Sequence, residues 1–455
     1  RFRLQHGAYG TRMTGDYAMV RIKLPAGEIY PHQFEKISQL SEQYSIGSAH
    51  FSTRENIQLH WVVLEDVSEI FRGLADVGLT SREACGNSVR NVMCSPLSGV
   101  CPEEKFDSTP YALATARFFL RNPMAQNLPR KFKFNFTCCE KHGMVRMVDV
   151  GLIPQIRELD GSSQRGFKIF LGGGLGNKSY VGHQLEEFTP EEDLLYTSIA
   201  VMRIFDRLGD RKNLARNRMR YLVNDMGWEK FQNLVFKERA IVRATQSVVT
   251  QLDVDTTPDE IKRPIRITDE SGNSIPDGYA RWLKTNTVKQ KQSDYRSVFI
   301  TLEAGDITSN QLSALGDIIR HFSSEGKARC GFVQNVALRY VLEDDLPQLY
   351  SKLLEVGLAK SGALTMTAPI GCSGTTSCNL ALTNSHRLAK EIQRKFLELK
   401  LDEDDALSDS SIKISGCPNS CGQHGIATIG FFGGGGRVGK DMYANYQMSL
   451  GGRSD

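Results

Sequence analysis

The chain of 455 residues is long enough for about two to four domains. Its 40% hydrophobic and 24% charged residues fit a globular protein, not a collagenous, low-complexity or disordered one. No apolar run approaches the roughly 20 residues of a membrane helix, and a net charge of +4 is too small to argue for nucleic acid, so neither a membrane nor a nucleic acid is an expected partner. Ten cysteines are too sparse for a small disulfide scaffold, which leaves reactivity or metal binding as the reason to look for.

In chain order, residues 20–79 read as strand, helix, strand, helix. Within them, residues 53–61 alternate with period two. Arg54, Asn56, Gln58 and His60 share one face, and Ile57, Leu59 and Trp61 share the other. Arg90 falls in a loop at 87–91. Residues 129–136 alternate in the same way, setting Lys131, Lys133 and Asn135 opposite Phe132, Phe134 and Phe136. Two solvated strand faces account for these patterns as simply as a cationic cavity for an anion, because spacing alone does not bring the strands together. Cys85, Cys94, Cys101, Cys138, Cys139 and Cys330 lack the spacing of paired ligands and read as core residues. The glycine runs 172–174 and 433–436 lack G-x-G-x-x-G before a helix, which speaks against a Rossmann nucleotide site.

Residues 190–235 are helical by pattern, with an apolar stripe through Leu194, Leu195, Ile199, Met202 and Phe205. Arg203, Arg207, Arg211, Lys212, Arg216, Arg218 and Arg220 add a cationic stretch. It reads either as a solvated helix face or as counter-ions for carboxylates or an acidic partner. A linker is expected over 251–295, rich in Asp, Thr and Pro around 253–276. Residues 299–358 then repeat the reading of 20–79. Gly27 matches Gly305, Leu59 Leu338, Gly78 Gly357, Cys139 Cys417, Gly143 Cys421, Gly151 Gly430 and Leu171 Leu450. The spacing is far too long for a solenoid, so the chain reads as two homologous α+β halves.

The strongest chemical signal is the pair of pairs Cys372-x5-Cys378 and Cys417-x3-Cys421, with small and polar residues in both gaps. Four thiolates on two loops suit a 4Fe-4S cube. A structural zinc site with four cysteine ligands and inert packing stay open, although x5 is unusual for zinc.

These pairs, the PRKFK and TRENIQLH segments, GCPNSCGQHG at 416–425 and the duplicated halves resemble the sirohaem-dependent sulfite and nitrite reductases over nearly the whole chain. The resemblance implies an α+β, internally duplicated fold: two ferredoxin-like half-domains plus two mixed α/β cofactor-binding domains. The expected boundaries are 17–80 for the first half-domain and 81–250 for a sirohaem and anion-binding domain. The linker follows at 251–295, then the second half-domain at 296–360 and a cluster-binding domain at 361–455. By motif, Cys372, Cys378, Cys417 and Cys421 hold the 4Fe-4S cluster, and Cys421 bridges it to sirohaem. Arg54, Arg90, Lys131 and Lys133 would handle the anion. Asn56, Gln58, His60, Arg216, Arg218 and Arg220 would contact the sirohaem, whose eight carboxylates need cations or water. The implied reaction is the six-electron reduction of sulfite to sulfide, with reduction of nitrite to ammonia as the alternative and a non-catalytic electron-transfer paralogue carrying the same cofactors as a third reading. Lys133 favours sulfite, since family members acting on nitrite tend to carry Asn there. Electrons are expected from a separate donor, ferredoxin or a flavoprotein reductase, in the cytoplasm, or in an organelle stroma if a transit segment has been removed.

Overall fold

The computed structural model describes residues 2–12, 15–245, 252–257, 259–262, 264 and 276–452, so part of the expected linker lies outside the described residues. The first half runs through α1 (Phe2–Gln5), β1 (Ala8–Gly10), β2 (Tyr17–Lys23), β3 (Glu28–Ile29), α2 (Pro31–Tyr44), β4 (Ser48–Phe51), β5 (Asn56–Val63) and α3 (Val67–Asp76). It continues with β6 (Met93–Cys94), α4 (Thr109–Phe119), β7 (Phe134–Phe136), β8 (Val150–Leu159), β9 (Ser162–Leu171), β10 (His183–Gln184) and β11 (Thr189–Pro190). Three helices follow: α5 (Leu194–Leu208), α6 (Met219–Met226) and α7 (Trp228–Thr245).

Next come α8 (Tyr279–Asn286) and β12 (Thr287–Lys289), inside the segment expected as linker. The difference has a packing cause: Trp282 is fully buried and its ring lies 5.1 Å from that of Tyr350. The second half then repeats the first through β13 (Tyr295–Thr301), β14 (Asp306–Thr308), α9 (Ser309–Phe322), β15 (Ala328–Cys330), β16 (Asn335–Leu342) and α10 (Leu346–Glu355). It closes with β17 (Ile370–Gly371), α11 (Ser385–Glu398), β18 (Ile412–Ser415), β19 (Ile429–Val438) and β20 (Asp441–Leu450).

The chain forms two compact units, one mainly Arg82–Thr257 and the other Ala8–Ser81 with Pro258–Arg453. The second unit holds both ferredoxin-like repeats as five-stranded sheets, ordered β1-β2-β5-β4-β14 and β12-β13-β16-β15-β3. Each sheet is completed by a strand from the other repeat. Ile307 of β14 lies opposite Ala49 of β4, and Ile29 of β3 lies opposite Ala328 of β15. Gly27 and Gly305 make this exchange possible. Both adopt positive φ, and a Cβ would meet the carbonyl oxygen of Cys330 at 2.6 Å or of Phe51 at 2.5 Å. One apolar core serves both repeats, with Val20, Ile22, Phe34, Ile57 and Leu59 beside Val298, Ile300, Leu312, Val336 and Leu338. At the β3–β15 seam, Glu28 forms ion pairs with Lys327 at 2.8 Å and Arg329 at 3.0 Å, while buried Glu325 receives Arg339 through two hydrogen bonds.

Two further sheets share one topology. In the first unit β6, β7 and β8 run parallel and β9 returns antiparallel. In the second unit β17, β18, β19 and β20 do the same. Gly151 and Gly430 occupy equivalent places, where a Cβ would strike the carbonyl oxygen of Val145 or of His424. The arginine-rich stretch is not one helical face: α5 stops at Leu208, Gly209 turns extended, and α6 starts only at Met219.

Candidate functional site

In the second unit, Cys372 and Cys417 follow the C-terminal ends of the parallel neighbours β17 and β18, so the strand ladder brings the two ligand loops side by side. The Cys372 N–H donates to the Ile414 carbonyl at 3.2 Å, and the Gly416 N–H donates to the Cys372 sulfur at 3.2 Å. The N–H groups of Leu382 and Thr383 both reach the Gly416 carbonyl. Only glycine fits at 416, since a Cβ would lie 2.9 Å from the Gly374 Cα. Burial pushes the Cys372 thiol up to about 11, with the nearby Cys421 adding to the shift. Burial also raises Cys417, and Cys421 and Cys378 add to it. Cys372 and Cys417 thus resist ionisation unless a cation takes the proton's place. This donor set fits an iron–sulfur cluster. Cys421 alone of the ten cysteines is exposed, which leaves its sulfur accessible to a second group.

Arg54 sits beside this loop, though not on a strand. β5 starts at Asn56, and Glu55 takes a left-handed φ of 51°. The period-two reading of 53–61 therefore holds only from Asn56 to Leu59: Trp61 takes a φ of 63° where the ladder to β2 shifts register, so Val62 and not Trp61 joins Ile57 and Leu59 in the core. The side chains of Ser52 and Asn56 close the turn: the Ser52 hydroxyl donates to Asn56 Oδ1 at 2.8 Å, and Asn56 Nδ2 donates to the Arg54 carbonyl at 3.0 Å. The turn is seated on the ligand loop. Thr53 Oγ1 donates to the Cys421 carbonyl at 2.9 Å, and Gln423 Nε2 donates to the Thr53 carbonyl at 3.3 Å. Gln423 also accepts from Lys413, whose buried ammonium has its pKa lowered to about 8 by desolvation. Sequence reasoning missed the roles of Thr53, Gln423 and Lys413; Thr53 opens TRENIQLH and Gln423 lies inside GCPNSCGQHG, whereas Lys413 carried no signal. Gln58 is buried on β5, paired with Arg21 and His50, and His60 lies edge-on to His50 at 5.9 Å beside Trp61, Asp306 and His386.

In the first unit, Arg90 is brought next to the 131–133 segment. Its N–H donates to the Phe132 carbonyl at 2.9 Å, and Val89 bridges Phe132. The guanidinium donates three hydrogen bonds to the carbonyls of Gly86 and Ala84, which orient it. Lys131 and Lys133 are half-buried, alternating with buried Phe132 and Phe134 as expected, but the ladder proper covers only Phe134–Phe136.

The arginines divide by partner. Arg203 and Arg207 meet Glu238, Arg211 meets Asp206, and Arg216 meets Asp225 in a half-exposed pair. Arg218 is buried and donates to Asp149 at 2.9 Å. Arg220 is 5% exposed, and its Nε and Nη1 have no hydrogen-bond partner among the described residues. Burial, with Arg218 adjacent, lowers its pKa. Gly174 and Gly176 make room for it, because a Cβ would lie 3.1 Å or 2.8 Å from its guanidinium nitrogens. A buried cation with unmet donors fits a carboxylate-rich macrocycle.

The family profile described as the nitrite and sulphite reductase 4Fe-4S domain matches residues 85–243. The nitrite/sulfite reductase ferredoxin-like half domain matches twice, at 10–77 and 288–356. The chain belongs to the nitrite and sulfite reductase family. It is an oxidoreductase, and the family's sirohaem and 4Fe-4S cluster are its cofactors. A protein named sulfite reductase (ferredoxin) 1, from Mycolicibacterium paratuberculosis, is 28% identical over 429 residues, covering 93% of this chain and 71% of that one. The assimilatory ferredoxin-dependent nitrite reductase of Haloferax mediterranei is 28% identical over 431 residues, or 92% and 70%. The structure of the Mycobacterium tuberculosis NirA protein matches with a TM-score of 0.79 at 25% identity, over 99% of this chain and 80% of that one. The internally duplicated α+β fold of this family is the fold seen here. No helix among the described residues is long and apolar enough to cross a membrane.

Proposed function

We propose that the protein reduces sulfite to sulfide, taking electrons from a ferredoxin. Cys372, Cys378, Cys417 and Cys421 would hold the cluster, and Cys421 would also face the sirohaem. When bound, the two cofactors would supply the electrons one at a time. The chain's own residues supply the rest. Arg54 and Arg90 anchor the oxyanion with paired N–H donors, and Lys131 and Lys133 pass protons to each oxygen that leaves as water. Arg218 and Arg220 meet macrocycle carboxylates. The observation that carries this reading is the seat of the Arg54 turn on the Cys421 carbonyl through Thr53, which ties an anion-binding cation to the bridging ligand's loop.

Ferredoxin is supported as donor by the names of the sulfite and nitrite reductase relatives alike. Those relatives leave the substrate to Lys133, a donor able to protonate a third oxygen. The test is steady-state reduction of both anions with an artificial one-electron donor. Sulfite should give the higher kcat/KM, and Lys133→Asn should shift the ratio toward nitrite at least tenfold. A parent enzyme that prefers nitrite, with an unchanged ratio in the variant, would make this a nitrite reductase.

A further inference from the structure

We infer that Cys101, Cys138, Cys139 and His142, in the first unit, form a second metal centre that takes a single zinc ion. Their ligand atoms all lie within 4.8 Å of one another. His142 Nδ1 is 3.1 Å from Cys139 Sγ, 3.5 Å from Cys138 Sγ and 3.9 Å from Cys101 Sγ. Cys101 and Cys139 are 4.0 Å apart through their sulfurs. Tetrahedral zinc, bound at about 2.3 Å by sulfur and about 2.0 Å by nitrogen, sets ligand edges of roughly 3.5–3.8 Å. These separations therefore fit one ion. A cube holds its thiolates on separate corners, further apart than this. All three cysteines are buried, and the loops that carry them are clasped from outside by Lys141 and Glu103 at 2.5 Å.

The duplication gives the site an independent origin. Met93, Asn135 and Gly151 are ladder partners in one sheet, as Ile370, Lys413 and Gly430 are in the other. Cys101 stands seven residues beyond Cys94 as Cys378 stands seven beyond Gly371, and Cys139 follows Phe136 as Cys417 follows Ile414. The turn Val145–Met147 matches His424–Ile426. It sets Gly143 opposite Gly422, each with its would-be Cβ against an equivalent hydroxyl, Thr137 or Ser415. The residue that answers to Cys421 is thus His142, not Gly143 as the running sequence register suggested. Ser95 takes the place of Cys372, and Cys138 brings its sulfur to 3.5 Å from the Ser95 hydroxyl. Three of four ligand positions survive, one as histidine, and a neighbouring thiol replaces the fourth. All six cysteines outside the quartet are buried as expected, and three of them take a ligand's role as well.

The test is elemental analysis of the purified holoenzyme, with X-ray absorption at the zinc edge. About one zinc per chain is expected beside the iron, in a shell of three sulfurs and one nitrogen. The double variant Cys101→Ser/Cys139→Ser should lose at least nine-tenths of the zinc and keep its iron. His142→Cys should retain zinc in an all-sulfur shell, which guards against a double variant that fails to fold. Cys417→Ser should lose cluster iron and keep zinc. That arm rests on the assignment of the cluster to the quartet, and its failure alone would overturn that assignment, not the zinc site. A zinc-free protein, iron in place of zinc, or a mass deficit of two hydrogens from a Cys101–Cys139 disulfide would each overturn the inference.

Discussion

Glu325 sits where the two repeats exchange strands, and replacing it by glutamine should be among the most damaging single-atom changes in the molecule. Its carboxylate is fully buried and accepts from Arg339 Nε at 2.8 Å and Nη2 at 2.6 Å, with Arg329 at 3.6 Å. Burial alone would raise its pKa, but Arg339 and Arg329 outweigh burial and hold it down at about 2, against 4.5 for an ordinary glutamate. At about 1.4 kcal/mol per unit, that depression corresponds to about 3 kcal/mol. Removing one partner of a buried pair costs about 3–5 kcal/mol by a separate route, because the other charge is stranded. The two figures agree. The sign follows from the depression: the contribution is complete above pH 4.5 and is lost as pH falls toward 2. Unfolding by urea, measured for the parent and for Glu325→Gln from pH 7 to pH 3, should show a gap of about 3 kcal/mol at neutral pH that narrows below pH 4.5 to about half by pH 3. A gap under about 1 kcal/mol at neutral pH, or one that does not depend on pH, would refute the reasoning.

Arg220→Met should keep the fold but weaken sirohaem binding about 10- to 100-fold, the value of a hydrogen bond to a charged group, as read from sirohaem content during purification. Thr53→Val should retain both cofactors yet lower kcat/KM for the anion about fivefold, since one neutral hydrogen bond to the ligand loop is lost; unaltered kinetics would mean that the turn holds itself. Burial, with His50 alongside, lowers the His60 pKa to about 3, and both ring nitrogens are shielded without a hydrogen-bond partner among the described residues. Its neutral form is therefore favoured in the fold, so stability is intact above about pH 6.5 and falls by up to about 1.4 kcal/mol per unit below it. His60→Phe should flatten the stability profile between pH 6.5 and pH 4.5, a window separate from that of Glu325.

What the sequence disclosed depended on how local the physics was. The duplication was visible because Gly27 and Gly305 each need a positive φ beneath a crossing backbone, so the glycine recurs wherever the geometry does. The quartet was visible because two tight loops must present thiols at short, fixed spacings. The strand exchange was hidden: β3 and β14 are two and three residues long, too short for any period to show. The roles of the arginines were hidden for another reason. Arg203, Arg207, Arg211, Arg216 and Arg218 are separated from Arg220 only by acidic partners such as Glu238 and Asp149, which lie far along the chain for all but the nearest pairs. The Cys101 centre was hidden likewise, since its first ligand stands 38 residues from its third.

The exchanged strands bear on how such a protein arises and is made. β3 finds its sheet only when Cys330 has been synthesised, so at about 5–20 residues per second the first repeat stays incomplete on the ribosome for tens of seconds. Two identical chains trading the same strands would form a symmetric dimer, in which every ligand appears twice. Joining the copies into one polypeptide removes that constraint. Each copy is then free to mutate alone, so the two can carry different side chains at equivalent positions, as at Cys421 and His142.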